Sequence, residues 1–496
     1  MGQTYDAVVV GAGPAGISAA IRLAENGART AVYDSNDRPG GQLIKQIHKF
    51  FGSAEVCAGV RGVELADRYY RKACELGVTF VFDAAVYDIE KAETGYVVYA
   101  DKGHVTLRSE AKTVVLAVGA GENALAFPGW TLPGVMTAGA AQTLVNLERV
   151  RCGSRVLMVG AGNVGLIVSY QLRQAGIEVA AVIEAAPVIG GYQVHANKIK
   201  RLGIPVLTGY TIKEAFGRES VEGAVIVRVD EHFQPIEGTE ERLEVDTICL
   251  AVGLSPLIRL GEIVGCDIRQ AGDGAIAHDT LMQTTAEGVY VAGDAGGVEE
   301  ASIAIEEGNI AGLRASVRLG FLPESAAAEA ITGHQARIDS IRMKGERKTE
   351  TVDFSRYRQE SKAKAFIECS QEIPCNPCEK NCPVHAIKIG DPIIHRPVID
   401  LEACVGCGRC VAMCPGQACF LVKYVSGKKR AELTFPYEFL PMPVPGSCAD
   451  AVDKDGKVVC RARVERVQQL PAYSRTAVVT ISFPEEYADR VRFIKG

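Results

Sequence analysis

The sequence lacks any uninterrupted apolar run near the ~18 residues that a membrane-spanning helix needs. Its first six residues have neither the basic flank nor the apolar stretch of a secretory signal, and Asp6 stands where N-myristoylation wants Ser or Thr. A cytoplasmic chain with no membrane insertion is expected. A basic surplus is missing too: 54 Lys and Arg face 60 Asp and Glu, a formal net charge of −6. That balance leaves no electrostatic footprint for a nucleic-acid partner. No Ser/His/Asp triad, paired carboxylate or metal-hydrolase motif stands out, low-complexity repeats are absent, and no C-x-x-C occurs before Cys375. His48 and His195 are lone histidines, expected to be structural, and no catalytic acid or base is assigned.

Glycine is what the chain has in excess, with 52 in 496 residues against a usual share of ~7%. Such an excess suits close backbone approaches. The length suggests about three or four domains at ~150 residues each. Residues 5–10 read as a buried strand that runs into Gly11-Ala12-Gly13-Pro14-Ala15-Gly16 and an Ala-, Ile- and Leu-rich helix; a second strand, Thr30–Tyr33, ends at Asp34. In such a unit Gly11 permits the tight turn, Gly13 lets backbone approach a pyrophosphate, and Gly16 lets helix and strand pack closely. The helix N-terminus offers free N–H groups to phosphate, and Asp34, about 20 residues on, is placed for a ribose hydroxyl. The pattern recurs after residue 155 with Gly160, Gly162, Asn163, Val164 and Gly165, and its second strand ends at Glu184. An acid there suits the free 2′-OH of NAD and repels the 2′-phosphate of NADP. A second site for another adenine nucleotide, or a degenerate copy that binds nothing, stays open.

Residues 285–295 resemble the second FAD signature of the two-dinucleotide-domain flavoproteins, in which a strand ends in Gly-Asp, here Gly293-Asp294. The resemblance implies that Asp294 contacts the ribityl or pyrophosphate region of FAD. Residues 114–119 and 248–253 look like that family's paired crossovers, which implies an NAD unit inserted in a split FAD domain, with Gly119 at the cofactor. Gly40-Gly41-Gln42-Leu43 is close to the thioredoxin reductase group and adds Gly41 and Gln42 to the expected FAD contacts. Without a Cys pair beside the flavin, however, disulfide reduction fails on chemistry. A closer match is carried by residues 128–142 and 297–308, which resemble the alpha subunits of heteromeric amine-oxidising dehydrogenases. That group includes L-proline and hydroxyproline dehydrogenases, opine oxidase, hydrogen cyanide synthase and sarcosine oxidase. The resemblance implies an FAD-containing, amine-oxidising partner subunit, with a small electron-carrier protein as a further partner. The match departs at residues 119–123, Gly-Ala-Gly-Glu-Asn, where Gly-Ala-Tyr-Glu-Arg is expected.

Nine of the sixteen cysteines crowd between Cys369 and Cys419, which points to cluster ligation rather than disulfides. Cys404-x-x-Cys407-x-x-Cys410-x-x-x-Cys414-Pro415 reproduces the bacterial ferredoxin run; zinc is the rival. The earlier block, Cys369-x5-Cys375-x-x-Cys378-x-x-x-Cys382-Pro383, has Glu372 where a first cysteine would fall. Carrying the ferredoxin pairing across implies one [4Fe–4S] cluster on Cys404, Cys407, Cys410 and Cys382. The other takes Cys375, Cys378, Cys414 and Cys369. Cys419 is expected to be a small buried residue.

The expected fold is α/β, with two Rossmann-like dinucleotide-binding domains, an α+β ferredoxin-like domain and a small β-rich C-terminal unit. Its expected boundaries are an FAD domain at 1–120 and 255–322, an NAD domain at 121–254, a helical linker at 323–365, a cluster domain at 366–425 and the C-terminal unit at 426–496. The expected role is the electron-transfer subunit of a hetero-oligomeric amine or amino-acid dehydrogenase. Rivals are a self-sufficient NAD(P)H:ferredoxin-type oxidoreductase and an electron-transfer scaffold with a vestigial NAD site.

Overall fold

The computed structural model describes residues 3–270, 272–347 and 352–495. The chain divides into two compact units, one made of Met1–Ile47, Val60–Glu122 and Gly253–Arg342, the other of His48–Gly59, Asn123–Val252 and Met343–Gly496.

The first unit is built on a mixed sheet. Strand Gln3–Val10 lies parallel between Thr30–Tyr33 and Val105–Leu116, and its last four residues are all buried, as a strand covered on both faces requires. Thr79–Val81 and Val289–Val291 extend the parallel part, while Gly95–Lys102 and Ala85–Ala92 continue it as antiparallel strands. Helix Pro14–Glu25 starts with proline at its first turn, where a missing N–H costs nothing. Helix Ala301–Arg318 packs against it through Gly308 and Gly312: a Cβ on Gly308 would overlap the Ala15 carbonyl oxygen, and one on Gly312 would sit 2.5 Å from the Ala19 oxygen. Ala120–Glu122 and Leu254–Pro256 pair antiparallel, so the chain leaves and re-enters this unit at adjacent points. That pairing explains how about 130 residues can be inserted without splitting the sheet's core. Helix Glu324–Arg342 lies in the stretch expected to be a helical linker; residues 348–351 of that stretch lie outside the described residues.

The second unit holds a five-stranded parallel sheet in the order Val206–Thr208, Glu178–Glu184, Arg155–Val159, Thr247–Leu250, Val135–Thr137. Beside it is a three-stranded antiparallel sheet made of Tyr210–Phe216, Gly223–Arg228 and Glu241–Leu243. The C-terminal strands form one seven-stranded antiparallel sheet, and Lys364–Ile367 and Cys419–Val425 from the cluster segment are its first two strands. Cys419–Val425 then pairs as a hairpin with Arg430–Tyr437, so the sheet runs straight across the expected boundary at 425/426. Phe366, Phe420, Phe435 and Phe483 are fully buried in its core, and each such ring contributes about 1.5–3 kcal/mol by leaving water.

One further difference concerns residues 48–59, expected in the FAD domain but built into this second unit. Lys49 is the reason: its buried ammonium donates to the Ala412 oxygen at 2.5 Å, the Thr476 hydroxyl at 2.8 Å and the Tyr473 oxygen at 3.0 Å. A buried lysine needs such acceptors, and the cluster segment and the sheet after it supply them. No helix among the described residues is long and apolar enough to cross a membrane.

Candidate functional site

The first dinucleotide turn is shaped by what a side chain would strike. Gly11 has φ +105° and its Cβ would overlap the Ala117 carbonyl; a Cβ on Gly16 would overlap the carbonyl of Gly11. Gly13, by contrast, has open space above it, the room a phosphate group needs at the N-terminus of helix Pro14–Glu25. Asp34 closes the turn from the next strand, with Oδ2 accepting from the Ala12 N–H at 2.6 Å and Oδ1 from the Asn36 N–H at 2.8 Å. It is buried, and its carboxylate keeps acceptor capacity for a ribose hydroxyl. The Gly40 N–H donates to the Ala12 oxygen at 2.8 Å, and a Cβ on Gly41 would lie 2.8 Å from the Gly13 Cα, so the Gly40-Gly41-Gln42 turn sits directly on the phosphate loop. Gln42 is exposed there, and Gly119, with φ +77°, also faces open space.

Gly293-Asp294 reaches the same place. It follows strand Val289–Val291, and a Cβ on Gly293 would meet the Ala15 Cβ at 3.0 Å. Asp294 Oδ1 accepts from the Glu299 N–H at 3.3 Å, and burial raises its carboxyl above the usual range. Glu307, which sequence reasoning did not single out, accepts from the Gly293 N–H at 2.9 Å, and burial pushes its carboxyl up to about 7. These residues fit an FAD: an open glycine at a helix N-terminus, an acid at the ribose position, and a second acid from the far strand.

The second dinucleotide turn repeats the first. Gly160 has φ +104° and its Cβ would overlap the Ala251 carbonyl, a Cβ on Gly165 would overlap that of Gly160, and Gly162 is open. Glu184 accepts from the Ala161 N–H at 2.9 Å and the Ala186 N–H at 3.0 Å. Val164 is exposed, while Asn163 Oδ1 accepts from the Tyr192 N–H at 2.8 Å. The repeat extends beyond the glycines expected from sequence. The Gly191 N–H donates to the Ala161 oxygen at 3.0 Å, and a Cβ on Gly191 would lie 2.8 Å from the Asn163 nitrogen. Gly190-Gly191 is thus the counterpart of Gly40-Gly41, and its signal was the second Gly-Gly pair at nearly the same offset.

Cys369, Cys375, Cys378 and Cys414 line one cavity of about 460 Å³, open mouth included. Burial and the neighbouring thiols Cys414 and Cys378 push the Cys369 thiol up to about 12, and the same causes raise Cys375 well above the ordinary range. Thiols such as Cys369 and Cys375, held protonated by their apolar surroundings, would need nearby cations to ionise, which iron would supply. Glu372, at the regular ferredoxin position, turns away: its carboxylate accepts from the Glu346 N–H at 3.1 Å. Cys369, three residues earlier, lines the cavity.

Cys382, Cys404 and Cys410 lie in one buried cluster together with Cys378 and Cys419, and Cys407 is exposed. Backbone N–H groups aim at sulfurs of both sets: Ala386 at Cys382 (3.2 Å), Ala365 at Cys404 (3.4 Å) and Ala418 at Cys414 (3.3 Å). Such donors favour anionic sulfur, the form that binds iron. The thiol-rich, largely apolar chemistry of this segment fits [4Fe–4S] clusters.

The cavity and the second dinucleotide turn share a wall. Val194, on helix Gln193–Lys200, lines the cavity and would lie 2.8 Å from a Cβ on Gly416. Gln371, also in the lining, accepts from the Gln193 N–H at 2.8 Å. Arg347 donates to the Ile189 oxygen at 2.6 Å and the Gly191 oxygen at 3.2 Å. His195 is buried edge-on to Phe51 with ring centroids 5.2 Å apart, and burial holds its imidazole well below the usual range.

Comparison with known proteins agrees with this construction. Residues 5–308 match the pyridine nucleotide-disulphide oxidoreductase family, and residues 373–418 match a 4Fe-4S dicluster domain. One of the opine oxidase subunits of Rhizobium meliloti strain 1021 is 30% identical over 338 residues, covering 64% of this chain and 72% of that protein. The hydrogen cyanide synthase subunit HcnB of Pseudomonas protegens is 26% identical over 484 residues, covering 91% of this chain and 99% of that one. In fold, the thioredoxin reductase of T. acidophilum superposes with a TM-score of 0.55 at 23% identity, over 64% of this chain and 99% of its own. The chain belongs to the pyridine nucleotide-disulphide oxidoreductase family, as an FAD-dependent oxidoreductase with FAD and NAD(P) sites and a 4Fe-4S dicluster domain.

Proposed function

We propose that this chain is the electron-transfer subunit of a multi-subunit amine or amino-acid dehydrogenase, relaying electrons between an FAD-containing partner subunit, its own cofactors and NAD or another acceptor. The observation that carries the reading is one chain holding two dinucleotide-binding turns and a cysteine block that matches a 4Fe-4S dicluster domain, with no C-x-x-C before Cys375. A flavoprotein without that dithiol needs another outlet for electrons, and the clusters are one. The relatives named as subunits of opine oxidase and hydrogen cyanide synthase support a role inside a larger enzyme.

When bound, FAD converts between paired and single electrons, NAD(P) supplies or takes a hydride, and the clusters take one electron each. The chain's own residues do the rest. Gly13 and the N-terminus of Pro14–Glu25 hold the FAD pyrophosphate, Asp34 its ribose and Asp294 the ribityl or pyrophosphate region, with Gly41, Gln42, Gly119 and Gly293 shaping the cleft. Gly160, Gly162, Asn163, Val164 and Gly165 hold the second pyrophosphate, and Glu184 selects a free ribose hydroxyl. Cys382, Cys404, Cys407 and Cys410 hold one cluster and Cys369, Cys375, Cys378 and Cys414 the other, with apolar walls excluding water. The domain limits that go with this reading are an FAD domain split around an NAD domain at about 121–254, followed by the cluster segment.

The test is to purify the native complex and assay each part. Amine-dependent dye reduction should appear only when the second subunit is present, while NADH should bleach the flavin of the isolated chain. NADH turnover with ferredoxin that is independent of any amine would overturn the subunit reading in favour of a self-sufficient oxidoreductase. Failure of NADH to bleach the flavin would mark the second site as vestigial.

A further inference from the structure

The turn that closes the ferredoxin run, Cys414-Pro415-Gly416-Gln417-Ala418, is gripped by side chains from the helices of the second dinucleotide fold. Its Ala418 N–H aims at the Cys414 sulfur at 3.3 Å, and its Gln417 N–H donates to the Cys414 oxygen at 3.2 Å. Gln417 stands at φ +51°, in the left-handed region that a residue with a Cβ adopts at a cost and keeps only when held there. Two groups hold it. The Tyr170 hydroxyl, on helix Asn163–Gln174, takes a hydrogen from Gln417 Nε2 at 2.9 Å and faces Oε1 at 3.1 Å. Arg201, at the C-terminal end of helix Gln193–Lys200, donates from Nη2 to the Gln417 carbonyl oxygen at 3.0 Å.

Arg201 is the unusual member of this grip. Its residue is only 6% exposed, and its guanidinium lies 5.4 Å from the centroid of the Phe420 ring. Among the described residues no carboxylate forms an ion pair with it, and Glu368, on the strand end beside Cys419, is taken by Arg492 at 2.7 Å. Lys198, three residues earlier and also buried, sets its ammonium 4.1 Å from the centre of the Tyr170 ring, so this helix brings a second cation to the same turn. Buried charge without a counter-charge is costly, and an anion beside the turn would offset that cost.

Resting on the assignment of Cys414 to a [4Fe–4S] cluster, we propose that Arg201 is a positioning residue whose buried positive charge, seated on the Gln417 turn, raises the reduction potential of the cluster that Cys414 ligates. An electron entering that cluster makes it and its thiolates more negative, and a fixed cation beside the ligand turn lowers the cost of the added charge. The charge is out of water, so salt screens it little. The turn it holds also keeps the Ala418 N–H on the Cys414 sulfur, a donor that favours the more negative form.

The experiment uses the full-length chain in its native complex, with three variants. R201M removes charge and donor but keeps apolar bulk over Phe420, R201Q keeps an N–H donor without the charge, and R201K keeps the charge. Iron and acid-labile sulfide are measured first; dithionite titration followed by low-temperature EPR then gives the midpoint of each cluster at low and at raised salt. The expected result is wild-type iron and sulfide throughout, a lowered midpoint of one cluster in R201M and R201Q with the other moved less, R201K close to wild type, and shifts that persist in raised salt. If R201M does not fold, R201Q carries the comparison. Unchanged midpoints at full iron content in either uncharged variant would overturn the proposal while leaving the cluster assignment intact. A midpoint lowered as far in R201K as in R201M would also overturn it, by tracing the effect to guanidinium geometry rather than charge, and so would loss of iron in all three variants, which would make Arg201 a purely structural residue. A wild-type chain without iron or sulfide would instead sink the cluster assignment itself, and this inference with it.

Discussion

Replacing Glu307 by glutamine isolates a buried carboxyl group at the edge of the first cofactor site. Glu307 is 4% exposed, accepts from the Gly293 N–H at 2.9 Å, and has a cationic neighbour, Arg342, at 3.3 Å. Arg342 is already committed to Glu299 at 2.5 Å, and Asp294 and Glu299 add negative charge nearby. Burial therefore wins, and the group rises from 4.5 to about 7. A carboxyl raised in the folded state keeps its proton after the unfolded chain has lost its own. The stability it confers is complete below the unfolded value and is lost as pH rises to the folded one. At 1.36 kcal/mol per unit, the loss between those limits is about 3 kcal/mol. Glutamine keeps an acceptor for the Gly293 N–H and carries no charge. E307Q should therefore match wild type near pH 5 and exceed it by about 2–3 kcal/mol above pH 7, less the weak contact with Arg342. Flavin-monitored urea unfolding between pH 5.5 and 8.5 reads this directly, with wild type falling as pH rises and E307Q flatter. Parallel curves for the two proteins would refute the assignment of a buried, proton-holding carboxyl at this position.

The open and the crowded glycines of each turn should behave oppositely. G13A should fold normally yet bind less FAD, whereas G16A should destabilise the first unit by about 1–3 kcal/mol or more; flavin-to-protein ratios and melting curves separate the two. C369A should hold about four iron atoms per chain in place of about eight, while E372A keeps about eight, because Cys369 faces the cavity and Glu372 does not; equal iron in both would move the ligand elsewhere. E184A should weaken NADH binding about tenfold or more, the worth of a hydrogen bond to a charged group, and reduce discrimination against NADPH in titrations of flavin reduction.

The parts of this molecule that could be read along the chain are those in which a short segment carries its whole geometry. Gly11, Gly13, Gly16 and Asp34 lie within one strand–turn–helix–strand unit, so their spacing already implies their positions, and the same holds for Cys404 through Cys414. Cys369 was harder, because its irregular spacing from Cys375 does not imply that the two meet, and only the backbone puts both on one cavity wall. Glu307 was not legible at all. It lies fourteen residues beyond Gly293 in sequence, and its role depends on a helix folding back to put a carboxylate on that N–H. The placement of residues 48–59 was hidden for the same reason, since Lys49 finds its acceptors more than 360 residues away.

The sharing of a wall between the second dinucleotide turn and the cysteine cavity explains why those two parts belong to one compact unit. Residues 189–194 serve both. Gly191 must be glycine because a Cβ there would press on the Asn163 nitrogen at the head of the phosphate-binding helix. Three residues later Val194 packs on Gly416, between Cys414 and Cys419. Arg347 holds the carbonyls of Ile189 and Gly191 from outside, and Gln371 holds the Gln193 N–H from within the cavity's own lining. A close-packed segment pinned at both ends cannot move at one without loading the other, since interiors at crystal-like density transmit displacement rather than absorb it. After the first Gly-Gly pair the chain instead forms a 3₁₀ turn, Gly41–Lys45, within the first unit. The two dinucleotide turns therefore differ outside the phosphate loop, in the segment after the Gly-Gly pair, where one copy keeps a flavoprotein turn and the other forms part of the wall of a sulfur-lined cavity.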